Sequence, residues 1–149
     1  MSHSLNRRQA LAAGAGACAA GLGFAAGPGS AANNYAEEIK TFTGGKTPVE
    51  ERVKLDLPEL AENGNTVSMA VTVDCPMTES HVEEILVLAP NNPNARVVQF
   101  RFSPMSVPEA ATRIRLAETQ KVIAVAKMSD GTFLSAAREI KVTIGGCGG

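Results

Sequence analysis

The chain has 149 residues and a mass of 15.5 kDa, with 44% hydrophobic and 19% charged residues, which is material for one domain around one core. Lys and Arg number 14 against 15 Asp and Glu, for a net charge of -1, and there is no Trp, one Tyr and five Phe. That balance argues against a polyanion-binding surface and against an aromatic platform for stacked bases. Three Cys and two His are too few for a Cys/His zinc module, and no Cys-x-x-Cys-His run is present to attach a haem.

Residues 1–31 differ from the remainder. They hold no Asp or Glu, and Arg7 and Arg8 precede an Ala/Gly-rich stretch from Ala10 to Ala26. Paired arginines before a weakly apolar stretch read as a twin-arginine (Tat) export signal, with a generic Sec signal as the other reading. Asn6-Arg7-Arg8-Gln9-Ala10-Leu11 matches the Tat pattern at the two Arg and the Leu. Gly29, Ser30, Ala31 and Ala32 offer a cleavage point, so residues 1–31 are set apart from fold reasoning. Cys18 lacks the large aliphatic neighbour of a lipobox and leaves with the signal. Fourteen basic residues less Arg7 and Arg8 leaves 12 against 15 acidic, so the mature chain carries -3. The mature chain reads as an exported protein with no membrane segment.

Ile39 and Phe42, spaced three apart among the charged residues Glu37, Glu38 and Lys40, predict a two-turn helix over Tyr35–Phe42, stopped by Gly44-Gly45. The pattern then turns to period two. Strands are predicted at Val53–Leu57, Val67–Val73, Ile85–Ala89, Val97–Phe102, Thr112–Leu116, Lys121–Met128 and Thr132–Ile144. Turn signals separate them, including Glu62-Asn63-Gly64-Asn65, Pro90-Asn91-Asn92-Pro93-Asn94 and Ser129-Asp130-Gly131. About seven evenly spaced strands without helix–strand alternation predict an all-β, immunoglobulin-like antiparallel β-sandwich over residues 32–144.

The last strand ends at Ile144, and Gly145-Gly146-Cys147-Gly148-Gly149 follows. Glycine buries no side chain and loses the most conformational entropy on ordering, so residues 145–149 read as a mobile arm. Fully extended, the arm carries Cys147 roughly 10 Å past Ile144, at about 3.3–3.6 Å per residue. Four glycines leave the thiol bare on both sides, fit for a narrow cleft on another protein. No His adjoins it as a base, and an exposed thiol of reference pKa about 8.5 is only a few per cent thiolate at neutral pH. Cys147 is thus suited to holding a group covalently, with activation supplied by a partner. Three other readings stand beside this one: a disulfide with Cys75, an intermolecular cross-link, and an inert end.

The terminal Gly-Gly-Cys-Gly-Gly, reached through Val142-Thr143-Ile144, resembles the hallmark of the SoxY family of sulfur-oxidation proteins. The Tat-type signal agrees, as do Val53-Lys54-Leu55-Asp56-Leu57-Pro58, Ala61-Glu62-Asn63-Gly64, Thr112-Arg113-Ile114-Arg115 and Ser129-Asp130-Gly131. The resemblance implies a non-enzymatic carrier subunit that pairs with SoxZ in the periplasm, with Cys147 as the covalent attachment site. It implies a tether made of Gly145, Gly146, Gly148 and Gly149. It also implies that the haem protein SoxXA joins thiosulfate to Cys147, that the di-manganese hydrolase SoxB releases sulfate, and that SoxCD, where present, oxidises the remaining sulfur. The carrier itself takes no cofactor or metal.

Other residues read more plainly. Cys75 is expected to be buried or half-buried, with capping of Cys147 as a further reading. His81 reads as a solvated turn residue, and Glu83 and Glu84 as a solvated strand face. Met69, Met77, Met105 and Met128 read as core or loop. Arg96, Arg101, Arg113 and Arg115 read either as a basic face for anions or partners, or as ordinary outward alternation. Val97 to Phe102 is the expected place for an exposed apolar contact face.

Overall fold

The computed structural model describes residues 34–75 and 80–146. The signal segment, Met77 and Cys147 with its two following glycines lie outside the described residues.

A helix, α1 (Tyr35–Thr43), comes first. Gly44 ends it at φ +63°, the left-handed region that costs glycine no Cβ clash. Eight strands follow among the described residues: β1 (Val53–Asp56), β2 (Leu60–Asn63), β3 (Val67–Val73), β4 (Val82–Leu88), β5 (Arg96–Arg101), β6 (Glu109–Ile114), β7 (Gln120–Met128) and β8 (Phe133–Ile144). They form two sheets, β1-β3-β6 and β2-β8-β7-β4-β5. The expected all-β sandwich is what the chain builds, with one strand more than the periodicity predicts.

The extra strand is β2. Leu60, Glu62 and Asn63 are exposed and only Ala61 turns inward, so no run of alternating large apolar residues marks it. It lies parallel to β8, pairing Ala61 with Val142 and Asn63 with Ile144, whereas the other strand pairs are antiparallel.

Val67, Met69, Val71 and Val73 on β3 face Ile85, Val87, Val122, Ala124, Ala126 and Met128 across the sandwich. Their polar alternates stay outside, which is the period-two pattern made physical. β4 reads as a continuous apolar run because it is covered on both sides. Ile85 and Val87 join the central core, while Leu86 and Leu88 on the opposite face are also fully buried. The helix covers that outer face: the Phe42 ring packs edge-on to Phe133 at 6.0 Å. Glu38 anchors it further by accepting from Arg96 Nη2 at 2.6 Å and Nε at 2.9 Å.

The β7–β8 hairpin closes at Ser129-Asp130-Gly131, with Gly131 at φ +80°. Asp130 accepts from the Thr132 backbone N–H and hydroxyl at 2.8 and 2.6 Å, and these bonds hold its carboxyl below the usual range. No helix among the described residues is long and apolar enough to cross a membrane.

Candidate functional site

The candidate site lies where β8 runs out. Its strand register with β2 brings Ile144 beside Asn63, and Gly64 N–H then donates to the Ile144 carbonyl at 2.7 Å. Leu116 N–H donates to the Gly64 carbonyl at 2.8 Å, and Gly146 N–H donates to the Leu116 carbonyl at 2.8 Å. The β2–β3 turn, the segment after β6 and the start of the arm thus interlock through their backbones.

Glycine is required here by space, not by dihedral angle. A Cβ on Gly64 would stand 2.2 Å from the Leu116 carbonyl oxygen and 2.8 Å from Gly146 N. A Cβ on Gly145 would stand 2.0 Å from the Ala117 carbonyl oxygen. Gly146 itself is buried. The first two glycines of the arm are therefore packed against the sandwich, where composition alone predicts mobility. The missing side chain that lets glycine move freely also lets the backbones at Gly145 and Gly146 approach residues 116 and 117 closely.

A buried amide pair fixes the far wall of this dock. Asn92 and Gln120 are 4% and 5% exposed. Asn92 Nδ2 donates to the Arg115 carbonyl at 2.9 Å, while its Oδ1 accepts from Ala117 N–H and from Gln120 Nε2, both at 2.9 Å. Gln120 Oε1 in turn accepts from Asn91 N–H at 2.9 Å. Residues 115–117 are clamped on both sides of Leu116, the residue that holds Gly146. Thr119 adds a brace to β8, its hydroxyl accepting from Val142 N–H at 2.9 Å. Sequence reasoning found none of these three side chains. Asn92 lay in a Pro/Asn-rich run that reads only as a turn, and the one available signal was an Asn between two prolines at a strand end.

The remaining candidates are placed as follows. Cys75 is half-buried and packs against the core, and its thiol donates to the Ser80 carbonyl at 3.0 Å. His81 is half-buried rather than solvated, because β4 and the β7–β8 turn close on it: its N–H donates to Ser129 Oγ at 3.0 Å. Glu83 pairs with Lys127 at 2.8 Å and Glu84 with Arg101 at 3.2 Å, as a strand face does. Beside Glu83, the Lys127 ammonium is held above its usual pKa. Met69 and Met128 are core, and Met105 is 94% exposed in the β5–β6 loop.

The expected apolar face over Val97 to Phe102 does not form. Val97, Val98, Phe100 and Phe102 are half-buried against the core. β5 is an edge strand, and a register shift opposite Val87 and Leu88 lets the adjacent Val97 and Val98, as well as Phe100, pack against the core, so its apolar content is used internally. Among the described residues, the large apolar side chains that do stand exposed are Val49, Leu60, Met105, Val107 and Ile144. The four arginines separate into two kinds. Arg96 and Arg101 are paired with Glu38 and Glu84. Arg113 and Arg115 make no ion pair among the described residues. No group of three or more His, Cys, Asp or Glu side chains among the described residues is arranged to hold a metal ion.

The class defined by this geometry is a two-sheet β-sandwich whose C-terminal glycine segment is docked at its base and runs on to a cysteine. The model of the sulfur oxidation protein SoxY family matches residues 39–147, and the chain belongs to that family. Among solved structures, the sulfur carrier protein SoxY from Chlorobium limicola f thiosulfatophilum is similar at 29% identity and a TM-score of 0.64, covering 76% of this chain and 94% of that one. Superoxide reductase (neelaredoxin) from Ignicoccus hospitalis is similar at 17% identity and a TM-score of 0.54, covering 62% of this chain and 80% of that one. A putative superoxide reductase from Thermotoga maritima is similar at 20% identity and a TM-score of 0.53, covering 68% of this chain and 89% of that one. These two likenesses are of fold alone. A comparison with the curated proteins finds no match.

Proposed function

We propose that this chain is a periplasmic, non-enzymatic covalent carrier of sulfur intermediates, exported by the Tat route, with Cys147 as the attachment site. The observation that carries the reading is the family match, whose last matched residue is Cys147. The likeness to a solved sulfur carrier protein over 76% of the chain supports it. So does the chemistry of the tail, a thiol flanked by four glycines in a sequence with no base beside it.

The cycle on that thiol is the one the family resemblance implies. Oxidative conjugation would join the Cys147 sulfur to the sulfane sulfur of thiosulfate, giving a Cys-S-S-sulfonate; the thiol proton would leave to solvent and two electrons would pass to an oxidising partner, which the family resemblance names as the haem protein SoxXA. Hydrolysis by SoxB adds water across the sulfur–sulfonate bond, releasing sulfate and leaving a persulfide on Cys147. SoxCD, where present, would accept six electrons as three waters supply the oxygens that take that sulfane sulfur to a sulfonate, and a further hydrolysis would release sulfate and return the thiol. Pairing with SoxZ presents the arm to each enzyme.

The test is differential labelling of the mature, mildly reduced protein with a small thiol reagent under native conditions. Cys147 is expected to label rapidly without unfolding, while Cys75, half-buried and bonded to Ser80, labels slowly. Labelling of Cys147 only after denaturation, or recovery of a Cys75–Cys147 bridge, would overturn the reading in favour of a structural disulfide.

A further inference from the structure

The β2–β3 turn carries Asn63-Gly64, and no other Asn in the chain is followed by Gly. Glycine has no side chain to shield its own amide nitrogen, so an Asn before it is the most open to attack from the main chain. The Asn63 side chain is folded back along the turn, its Oδ1 accepting from Asn65 N–H at 2.9 Å. That bond polarises the carboxamide, and the ring it closes includes the Gly64 nitrogen. Asn63 is exposed, so water reaches it, while Gly64 is buried.

The nucleophile is restrained. Gly64 N–H donates to the Ile144 carbonyl at 2.7 Å, where the end of β8 lies beside β2. To attack, that nitrogen must lose its proton and turn toward the side chain before it, and the bond to Ile144 opposes both. The electrophile is thus set, and the segment that begins the arm withholds the nucleophile. Asp130-Gly131 shows the contrast. It makes the same turn, with Thr132 N–H donating to Asp130 Oδ1 at 2.8 Å. There the bonds from Thr132 hold the carboxyl below its usual range, and an ionised carboxylate resists attack.

We propose that Asn63 is a self-modification site, a deamidation switch held off by the hydrogen bond from Gly64 to Ile144. When the end of β8 opens locally, the Gly64 nitrogen gives its proton to hydroxide and bonds to the Asn63 carboxamide carbon. The side-chain nitrogen takes a proton from water and leaves as ammonia. One water then opens the five-membered imide, leaving aspartate or isoaspartate at position 63, with no change of oxidation state. Isoaspartate inserts a methylene into the main chain before Gly64 and adds a carboxylate beside it. Gly64 then no longer meets both Ile144 and Leu116, so the step permanently undoes the dock of Gly145 and Gly146. The site stands whether or not Cys147 carries sulfur.

The experiment incubates the mature chain in mildly alkaline buffer and follows position 63 by peptide mapping, with an isoaspartate methyltransferase as the probe for the rearranged product. The parent is expected to convert slowly at Asn63 and not at Asp130. In Gly145→Ala, whose Cβ would stand 2.0 Å from the Ala117 carbonyl oxygen, the end of β8 is pushed away and the rate is expected to rise about tenfold. Should that variant not fold, Gly146→Ala, whose Cβ would stand 2.9 Å from the Gly64 carbonyl oxygen, gives the same rise in milder form. Val71→Ala trims the core outside the β2–β8 pairing and should stay near the parent rate, because the opening that matters is local. An equal rise in Val71→Ala would place conversion in the unfolded chain and overturn the gate. An unchanged rate in the glycine variants, or conversion led by another Asn, would overturn the site. Converted protein is expected to lose amide-exchange protection at Leu116 and Gly146, and retained protection would overturn the effect on the dock.

Discussion

Cys147→Ser is expected to reduce thiosulfate-dependent turnover, measured with the partner enzymes present, to the level seen without the carrier. The substitution replaces one sulfur by oxygen in a segment that begins beyond the docked Gly146, so its effect on folding should be negligible. Its effect on chemistry should be total. A serine hydroxyl is neither a thiolate at neutral pH nor able to form a sulfur–sulfur bond, so there is no partial function to retain. Cys75→Ser is the matched control. It removes a half-buried thiol that donates to the Ser80 carbonyl, and it should leave turnover in place with a modest loss of stability. Turnover surviving in Cys147→Ser and lost in Cys75→Ser would exchange the roles of the two cysteines.

Asn92→Ala is expected to lower stability by about 2–4 kcal/mol, the largest effect of any polar substitution in the described fold. Three groups depend on that one carboxamide: the Arg115 carbonyl, the Ala117 N–H and Gln120 Nε2. At 4% exposure little water reaches the gap, so each group keeps its desolvation cost and loses its partner. Gln120 Nε2 retains the Glu118 carbonyl at 3.2 Å, which offsets part of the loss. Asn92→Asp should be comparably damaging, since it keeps the acceptor but replaces the donor to Arg115 with a buried charge. Urea unfolding measures the change, and a loss under about 0.5 kcal/mol would show that the clamp on residues 115–117 is not load-sharing. The same variant should weaken the hold on Gly146, because Leu116 sits between the two clamped residues.

Much of this structure was legible in the residues, for an identifiable reason. β3 could be read directly because Val67, Met69, Val71 and Val73 all face one core, so burial imposes its period on the sequence. α1 could be read from Ile39, Phe42 and the glycine stop, because a helix covering a sheet shows one apolar stripe. β2 was not legible: it is held by backbone pairing to β8, and backbone hydrogen bonds leave no side-chain signature. For the same reason the sequence could not show that β2 runs parallel.

The site divides along the same line. Cys147 stands out in the sequence because no folding requirement explains a thiol among four glycines. The dock beneath it does not stand out. Gly64 and Gly145 are needed for backbone approach to residues 116 and 117, distant in sequence, and a glycine that admits a carbonyl looks the same as one that makes a tether. Asn92 reads as a turn residue because its function is exercised across the sandwich on Arg115, Ala117 and Gln120. The arginines were ambiguous until their partners were known. Two of the four are paired with carboxylates, and the two on β6 and just after it are not.

The central claim, that Cys147 carries sulfur covalently, is tested most directly by the intact mass of the protein taken from cells growing on thiosulfate, measured with and without reductant. Reductant-sensitive additions matching sulfur atoms or a thiosulfate-derived group, located on the C-terminal peptide, are expected. A mass that shows an internal Cys75–Cys147 bridge and no addition under any sulfur supply would contradict it.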